Sequence, residues 1–218
     1  MNLIYCYDAY CGWCYAFSPV VRQIAEDYVS TFYVEVLSGG MILPESPIPI
    51  AATADFLKSD YQNIEAHTDI RFGNDYLWHI QNPDKSDWFP SSEKPAIALS
   101  IIKQYNPELA VHFAAALQYA LFSEGRDLTD DEAYRHLLAA YHLSPEVFYE
   151  ALQSTGFKEK AKHDFNLVQQ LGITSFPVLL LQENENRFHL LAKGYTDYEI
   201  VKARLAHILD ELKANNTT

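Results

Sequence analysis

The sequence predicts an α/β fold in which a βαβ unit opens the chain, an all-helical block interrupts it, and a ββα unit closes it. Three observations carry that expectation. Runs of strand-forming residues occur only near the two ends, at 3–7 and 33–37 and again at 178–181 and 188–192. Between them, from about residue 51 to 171, apolar residues recur at helical rather than alternating spacing. Turn residues separate the zones: Ser38-Gly39-Gly40, then Pro44, Pro47 and Pro49 on one side, and Gly172 on the other.

Residues 3–7, Leu-Ile-Tyr-Cys-Tyr, read as a buried strand. Residues 15–29 follow as a helix whose packing face is Phe17, Val20, Val21, Ile24, Ala25 and Tyr28. Residues 33–37 alternate and end at the glycines, completing a βαβ unit whose crossover is right-handed. In the helical block, 51–68 is a helix and 72–90 an aromatic, turn-rich stretch holding Tyr76, Trp78, Trp88 and Phe89. That stretch reads as core first, with contact to a ligand as its other use. Ser91-Ser92-Glu93 starts a helix running through 95–105, and 108–124 is the central, most apolar helix. Thr129-Asp130-Asp131-Glu132 resembles a capping box opening 133–141, and Ser144-Pro145-Glu146 opens another helix with Pro at its favoured first position. A last helix, 158–171, stops at Gly172. The strands 178–181 and 188–192 are joined by a turn at 183–186, and 196–214 is a terminal amphipathic helix before the polar tail 215–218. The expected division is 1–48 with 172–218 as one domain and 49–171 as a helical insertion.

The chain has 218 residues, 49% of them hydrophobic and 21% charged, an ordinary globular composition. Its formal charge of -13 speaks against nucleic acid and against anionic membrane surfaces, both of which reward basic patches. The first strand begins within two residues, with no basic region, apolar core and small-residue cleavage site before it, so the expected location is cytoplasmic. No apolar run approaches the roughly 20 residues of a membrane span.

The three cysteines, Cys6, Cys11 and Cys14, all fall in the first fourteen residues and cannot staple the rest of the chain. Cys11-Gly12-Trp13-Cys14 stands where the first strand gives way to a helix. The unpaired N–H groups at a helix start favour thiolate over thiol, and the thiolate is the nucleophile in disulfide exchange. Cys6 extends the spacing toward an iron–sulfur pattern, but no fourth cysteine completes it. A zinc site would need a distant histidine such as His79, His112, His136 or His163. No metal is expected, and Cys6 reads as a small buried hydrophobe.

The second motif is Thr174-Ser175-Phe176-Pro177-Val178, with a proline at the first residue of an apolar strand, where no ladder donor is lost. With both motifs in this element order, the chain resembles a thioredoxin-like fold interrupted by a helical domain, the DsbA-like superfamily. Residues 7–15, with an aspartate three residues before the motif, resemble its cytosolic FrnE-like branch. The resemblance implies a thiol–disulfide oxidoreductase in which Cys11 attacks, Cys14 resolves, and Trp13, Phe176 and a cis Pro177 border an extended substrate. It implies no cofactor beyond the redox-active pair, with glutathione as an optional co-substrate. Disulfide-containing polypeptides or small-molecule disulfides would be its partners. Two departures stand out. Gly12 occupies the family's usual proline position, and Tyr5 the place of a buried carboxylate that manages the resolving thiol's proton, leaving Asp8 as the substitute relay. Trp13 brings no charge where strongly oxidising relatives carry histidine, so a reductase or isomerase is expected. Two alternatives share the fold: a glutathione-dependent transferase or isomerase of the kappa and chromene-carboxylate isomerase type, which uses serine at the position of Cys11, and a non-enzymatic client adaptor.

Overall fold

In a computed structural model, residues 1–215 are described. Strand β1 (Asn2–Tyr7) leads into helix α1 (Gly12–Asp27) and strand β2 (Val34–Ser38). Then come helices α2 (Ala54–His67), α3 (Asn74–Gln81), α4 (Glu93–Tyr105), α5 (Ala110–Phe122), α6 (Arg135–Leu138), α7 (Pro145–Leu152) and α8 (Thr155–Gln170). Strands β3 (Val178–Asn184) and β4 (Arg187–Lys193) and helix α9 (Tyr198–Asn215) close the chain. The four strands form one sheet in the order β2-β1-β3-β4, with β1 and β2 parallel and the other pairs antiparallel. This is the α/β arrangement with a helical interruption that the sequence implies.

Alternation along β1 decides what covers each face of the sheet. Leu3, Tyr5 and Tyr7 join the main core with α1, α5 and α9. Ile4 and Cys6 point the other way and pack with Leu37, Val168, Val178 and Leu180. Val168 belongs to α8, so this helix at the end of the helical block lies on the sheet and closes its second face. The main core runs without a break from the sheet through α4 and α5 into Tyr134 and Phe148.

Several local expectations are corrected. The stretch 72–90 contains α3, with Tyr76 and Trp88 buried and Trp78 and Phe89 exposed. The segment 133–141 is a short α-helix between two 3-10 turns, and its cap is Asp130, whose side chain accepts from the Glu132 N–H. Thr129 instead donates its N–H and hydroxyl to Asp127, which removes it from any capping box. The Ser144 cap forms as expected, accepting from Val147 N–H at 3.3 Å, and Gly172 ends α8 at φ +70°. Residues 216–218 of the polar tail lie outside the described residues.

One buried ion pair ties the helical block to the sheet. Lys103 on α4 donates to Asp164 on α8 at 2.9 Å and to the Val36 carbonyl at 2.8 Å, and Asp164 accepts the Ser38 N–H. Both side chains are largely withdrawn from water. Lys103→Met would leave the Asp164 carboxylate buried without its cation, and should lower unfolding stability by about 3 kcal/mol in urea denaturation. An unchanged midpoint would show that the pair is dispensable.

Candidate active site

The site begins where β1 ends and four residues, Asp8 to Cys11, turn the chain into α1. Cys11 is the N-cap of this helix: its backbone is extended (φ -86°, ψ 109°) and its Sγ accepts the Cys14 N–H at 3.1 Å. A sulfur in this place does what a serine or aspartate oxygen does at other helix starts. The first turn of α1 carries no acidic residue to oppose a negative charge. Pro19 lies inside the helix, and the Tyr15 carbonyl, which a proline nitrogen cannot reach with a proton, accepts the Ser18 hydroxyl at 2.9 Å instead.

Cys14 is wholly buried, whereas Cys11 retains 6% exposure. Burial holds the Cys14 thiol well above the usual thiol range, and hydrogen bonding to the Cys11 sulfur pushes the same way. The two cysteines thus differ in that Cys11 lines a neighbouring cleft and Cys14 does not. Both are free thiols. Tyr5, in the place where a carboxylate was sought, is buried and stacks on Tyr7, its hydroxyl 3.5 Å from the Cys14 carbonyl.

Asp8 is also buried, and burial raises its pKa against the lowering effect of its donors. Its carboxylate accepts from Tyr10 N–H at 3.0 Å, Met41 N–H at 2.8 Å and the Ser92 hydroxyl at 2.9 Å. None of these donors is a thiol. Its oxygens thus join the end of β1, the loop after β2 and the start of α4, and Asp8 is one of the groups whose charge acts on the Cys14 thiol. Ser92 precedes α4 but makes no capping bond, because its hydroxyl goes to Asp8 and accepts the Ile42 N–H at 3.0 Å. Beneath the same turn, Gln118 on α5 donates to the carbonyls of Asp8 at 3.1 Å and Cys11 at 3.4 Å.

The second motif faces the first. The Phe176–Pro177 bond is cis, and the Cys11 thiol lies 3.7 Å from the Phe176 carbonyl. The ring of Phe176 fills the space above Gly39, where an added Cβ would sit 2.1 Å from it. Beside the sulfur opens a cleft of about 890 Å³, bounded by Trp13, Gly40, Ile42, Leu57 and Phe176, with Tyr76 and Trp88 in its wall. The aromatic stretch thus serves both core and cleft. The Trp13 indole N–H donates to Asp60 on α2 at 3.0 Å. Gly12 lies beneath the same helix, where a Cβ would meet Ile64 Cδ1 at 2.7 Å.

Cys6 lies on the opposite face of the sheet, buried, and burial with the nearby Asp164 carboxylate pushes its thiol up to about 12. The four histidines weighed as ligands are dispersed. His79 stacks on Trp88 at 3.9 Å, His112 approaches Glu26, His136 approaches Glu124, and His163 lines a small groove with Lys103. Among the described residues no three His, Cys, Asp or Glu side chains are grouped to hold a metal. Asp60 and Gln118 escaped sequence reasoning and Ser92 was read only as part of a helix start, because only the fold brings these residues to the motif.

A family model, the DSBA-like thioredoxin domain, matches residues 3–206. Among solved structures, a candidate protein disulfide isomerase from Nitrosomonas europaea superposes with a TM-score of 0.82 at 22% identity, over 97% of this chain and 99% of that one. The cytosolic disulfide reductase DsbM of Pseudomonas aeruginosa superposes with a TM-score of 0.75 at 25% identity, over 98% and 100%; its structure with glutathione gives 0.74 at 26%. A 2-hydroxychromene-2-carboxylate isomerase shares the fold at 12% identity, with a TM-score of 0.64 over 100% and 98%. No curated protein sequence matches the chain significantly.

The contrast among the thiols is directly measurable. Brief iodoacetamide treatment of the native reduced protein at pH 8 should place one adduct, at Cys11, with Cys6 and Cys14 modified only after unfolding. Peptide mass spectrometry locates the adduct, and equal labelling of Cys6 and Cys11 would contradict the burial described.

Proposed function

The chain belongs to the DSBA-like thioredoxin family, and on that premise we propose that it is a thiol–disulfide oxidoreductase of the reductase or isomerase type, working through Cys11 and Cys14. The observation that supports this best is the Cys11 sulfur, seated as the cap of α1 on the Cys14 N–H with a second, buried thiol one helical turn away. In the proposed reaction the Cys11 thiolate attacks one sulfur of a substrate disulfide. The substrate S–S bond breaks, a Cys11–substrate mixed disulfide forms, and the first substrate sulfur leaves as thiolate. The Cys14 thiol gives up its proton to a departing substrate sulfur and its own sulfur attacks Cys11 Sγ. The second substrate thiol is then released and Cys11–Cys14 is left oxidised. Two electrons pass from the pair to the substrate, and an external dithiol returns them. Burial raises the pKa of Cys14, which suits the resolving rather than the attacking role.

Phe176 and Pro177 are assigned to the substrate strand, Trp13 to the cleft wall, and Asp8 to holding the turn. The neutral Trp13 between the cysteines supports a moderate rather than strongly oxidising couple. A reductase of this kind acts in a reducing compartment, which agrees with a cytoplasmic location. Among the described residues no helix is long and apolar enough to cross a membrane.

Equilibration against glutathione buffers, followed by thiol trapping, should give a reversible Cys11–Cys14 couple with a potential between roughly -270 and -180 mV. Cys11→Ser should abolish disulfide reduction, and Cys14→Ser should accumulate a mixed disulfide at Cys11. A potential near roughly -120 mV would point to an oxidase instead. A pair that never oxidises would overturn the redox reading.

A further inference from the structure

The cleft beside Cys11 carries charge of one sign only. Its lining is largely apolar, and among the described residues no Lys, Arg or His is part of it and Asp60 is its single carboxylate. Among the described residues Asp60 accepts one hydrogen bond, from Trp13, and has no ion-pair partner. Its other oxygen, Oδ2, faces the motif, 3.5 Å from where a Cβ on Gly12 would sit. Loss of solvent raises its pKa, as for a carboxylate short of donors, and the Trp13 bond only partly offsets this. The covering segment has the same sign: residues 45–87 hold eight Asp or Glu against three Lys or Arg. At the mouth, Phe56 (68% exposed) and Met41 (47% exposed) offer apolar surface to an incoming chain.

Resting on the redox reading above, we propose that Asp60 sets the charge selectivity of the cleft, favouring disulfides in extended polypeptides that carry a basic residue beside the reacting cysteine. The carboxylates of an anionic disulfide such as glutathione disulfide meet no cation in this cleft and face Asp60 across a partly dry space. A cationic side chain gains where the anion loses, because charge interactions are stronger where water is partly excluded. The apolar mouth takes the neighbouring side chains of a peptide, which glutathione lacks.

The test uses the full reduced chain and three probes: 2-hydroxyethyl disulfide, which is neutral; a pair of cysteine peptides of one sequence with Lys or Glu beside the cysteine, each as its mixed disulfide with 2-mercaptoethanol; and glutathione disulfide. Rates are divided by those with dithiothreitol, which removes intrinsic differences between the probes. The Lys peptide should react roughly five- to tenfold faster than the Glu peptide, with glutathione disulfide slower than the Lys peptide. The advantage should shrink in high salt. Asp60→Asn keeps an oxygen for the Trp13 bond and should bring the ratio close to one, while Asp60→Lys should invert it. Because the readout is a ratio within each variant, a general loss of activity does not imitate the effect. A wild-type ratio near one, or a ratio that survives Asp60→Asn, overturns the proposal. Failure with the neutral disulfide as well would overturn the oxidoreductase reading itself.

Discussion

The site depends on one desolvated carboxylate. Asp8 would be costly to bury alone, and the fold meets that cost by aiming three donors at it from three separate stretches of chain: Tyr10, Met41 and Ser92. These stretches are the turn into α1, the loop leaving β2 and the start of α4. Satisfying Asp8 therefore fixes the turn that carries Cys11 against both the loop after β2 and the start of α4. Gln118 adds α5 to the same arrangement through the carbonyls of Asp8 and Cys11. Any of the four elements that moved would leave a buried polar group without a partner, so the geometry around Cys11 is set by polar satisfaction as much as by packing.

The two thiols of the motif are differentiated by that frame. Both come from one short sequence, yet the turn places one sulfur at the cap of α1 and the helix carries the other into the core. The first is stabilised by a backbone N–H and opens on the cleft; the second is held protonated by burial. Disulfide exchange needs this asymmetry, because attack and resolution must occur in order. Cys6 shows what a cysteine of this chain becomes without the frame. On the opposite face of the sheet it is inert packing, with its thiol pushed to about 12.

The fold was legible because its strongest signals are periodic and local. The run from Leu3 to Tyr7, the alternation around Val34 to Leu37, and the helix stops at Gly172 and the proline cluster each act within a few residues. The candidate motif was legible for the same reason, since the helix start that seats Cys11 lies in the residues beside it. What could not be read was the polar wiring. Asp8 stood out as a carboxylate near the thiols, and only the approach of Ser92, 84 positions away, shows that its oxygens are already occupied. Thr129 looked like a cap, but the Glu132 N–H goes to Asp130 instead. Gln118 sits in an apolar helix as an ordinary polar residue until the carbonyls of a distant turn are brought beneath it.

Gly12 joins these two levels. By local rules the first residue of α1 suits proline, whose fixed φ and missing N–H cost nothing at a helix start. Here α2 descends so closely that even a Cβ would strike the buried Ile64, and Asp60 and Phe72 close the remaining space. The glycine leaves room beside the motif for Ile64, and on the same helix Asp60 meets the Trp13 indole. Position 12 and Asp60 thus meet on one side of the motif, where the helix over the thiols brings an apolar side chain and a carboxylate together.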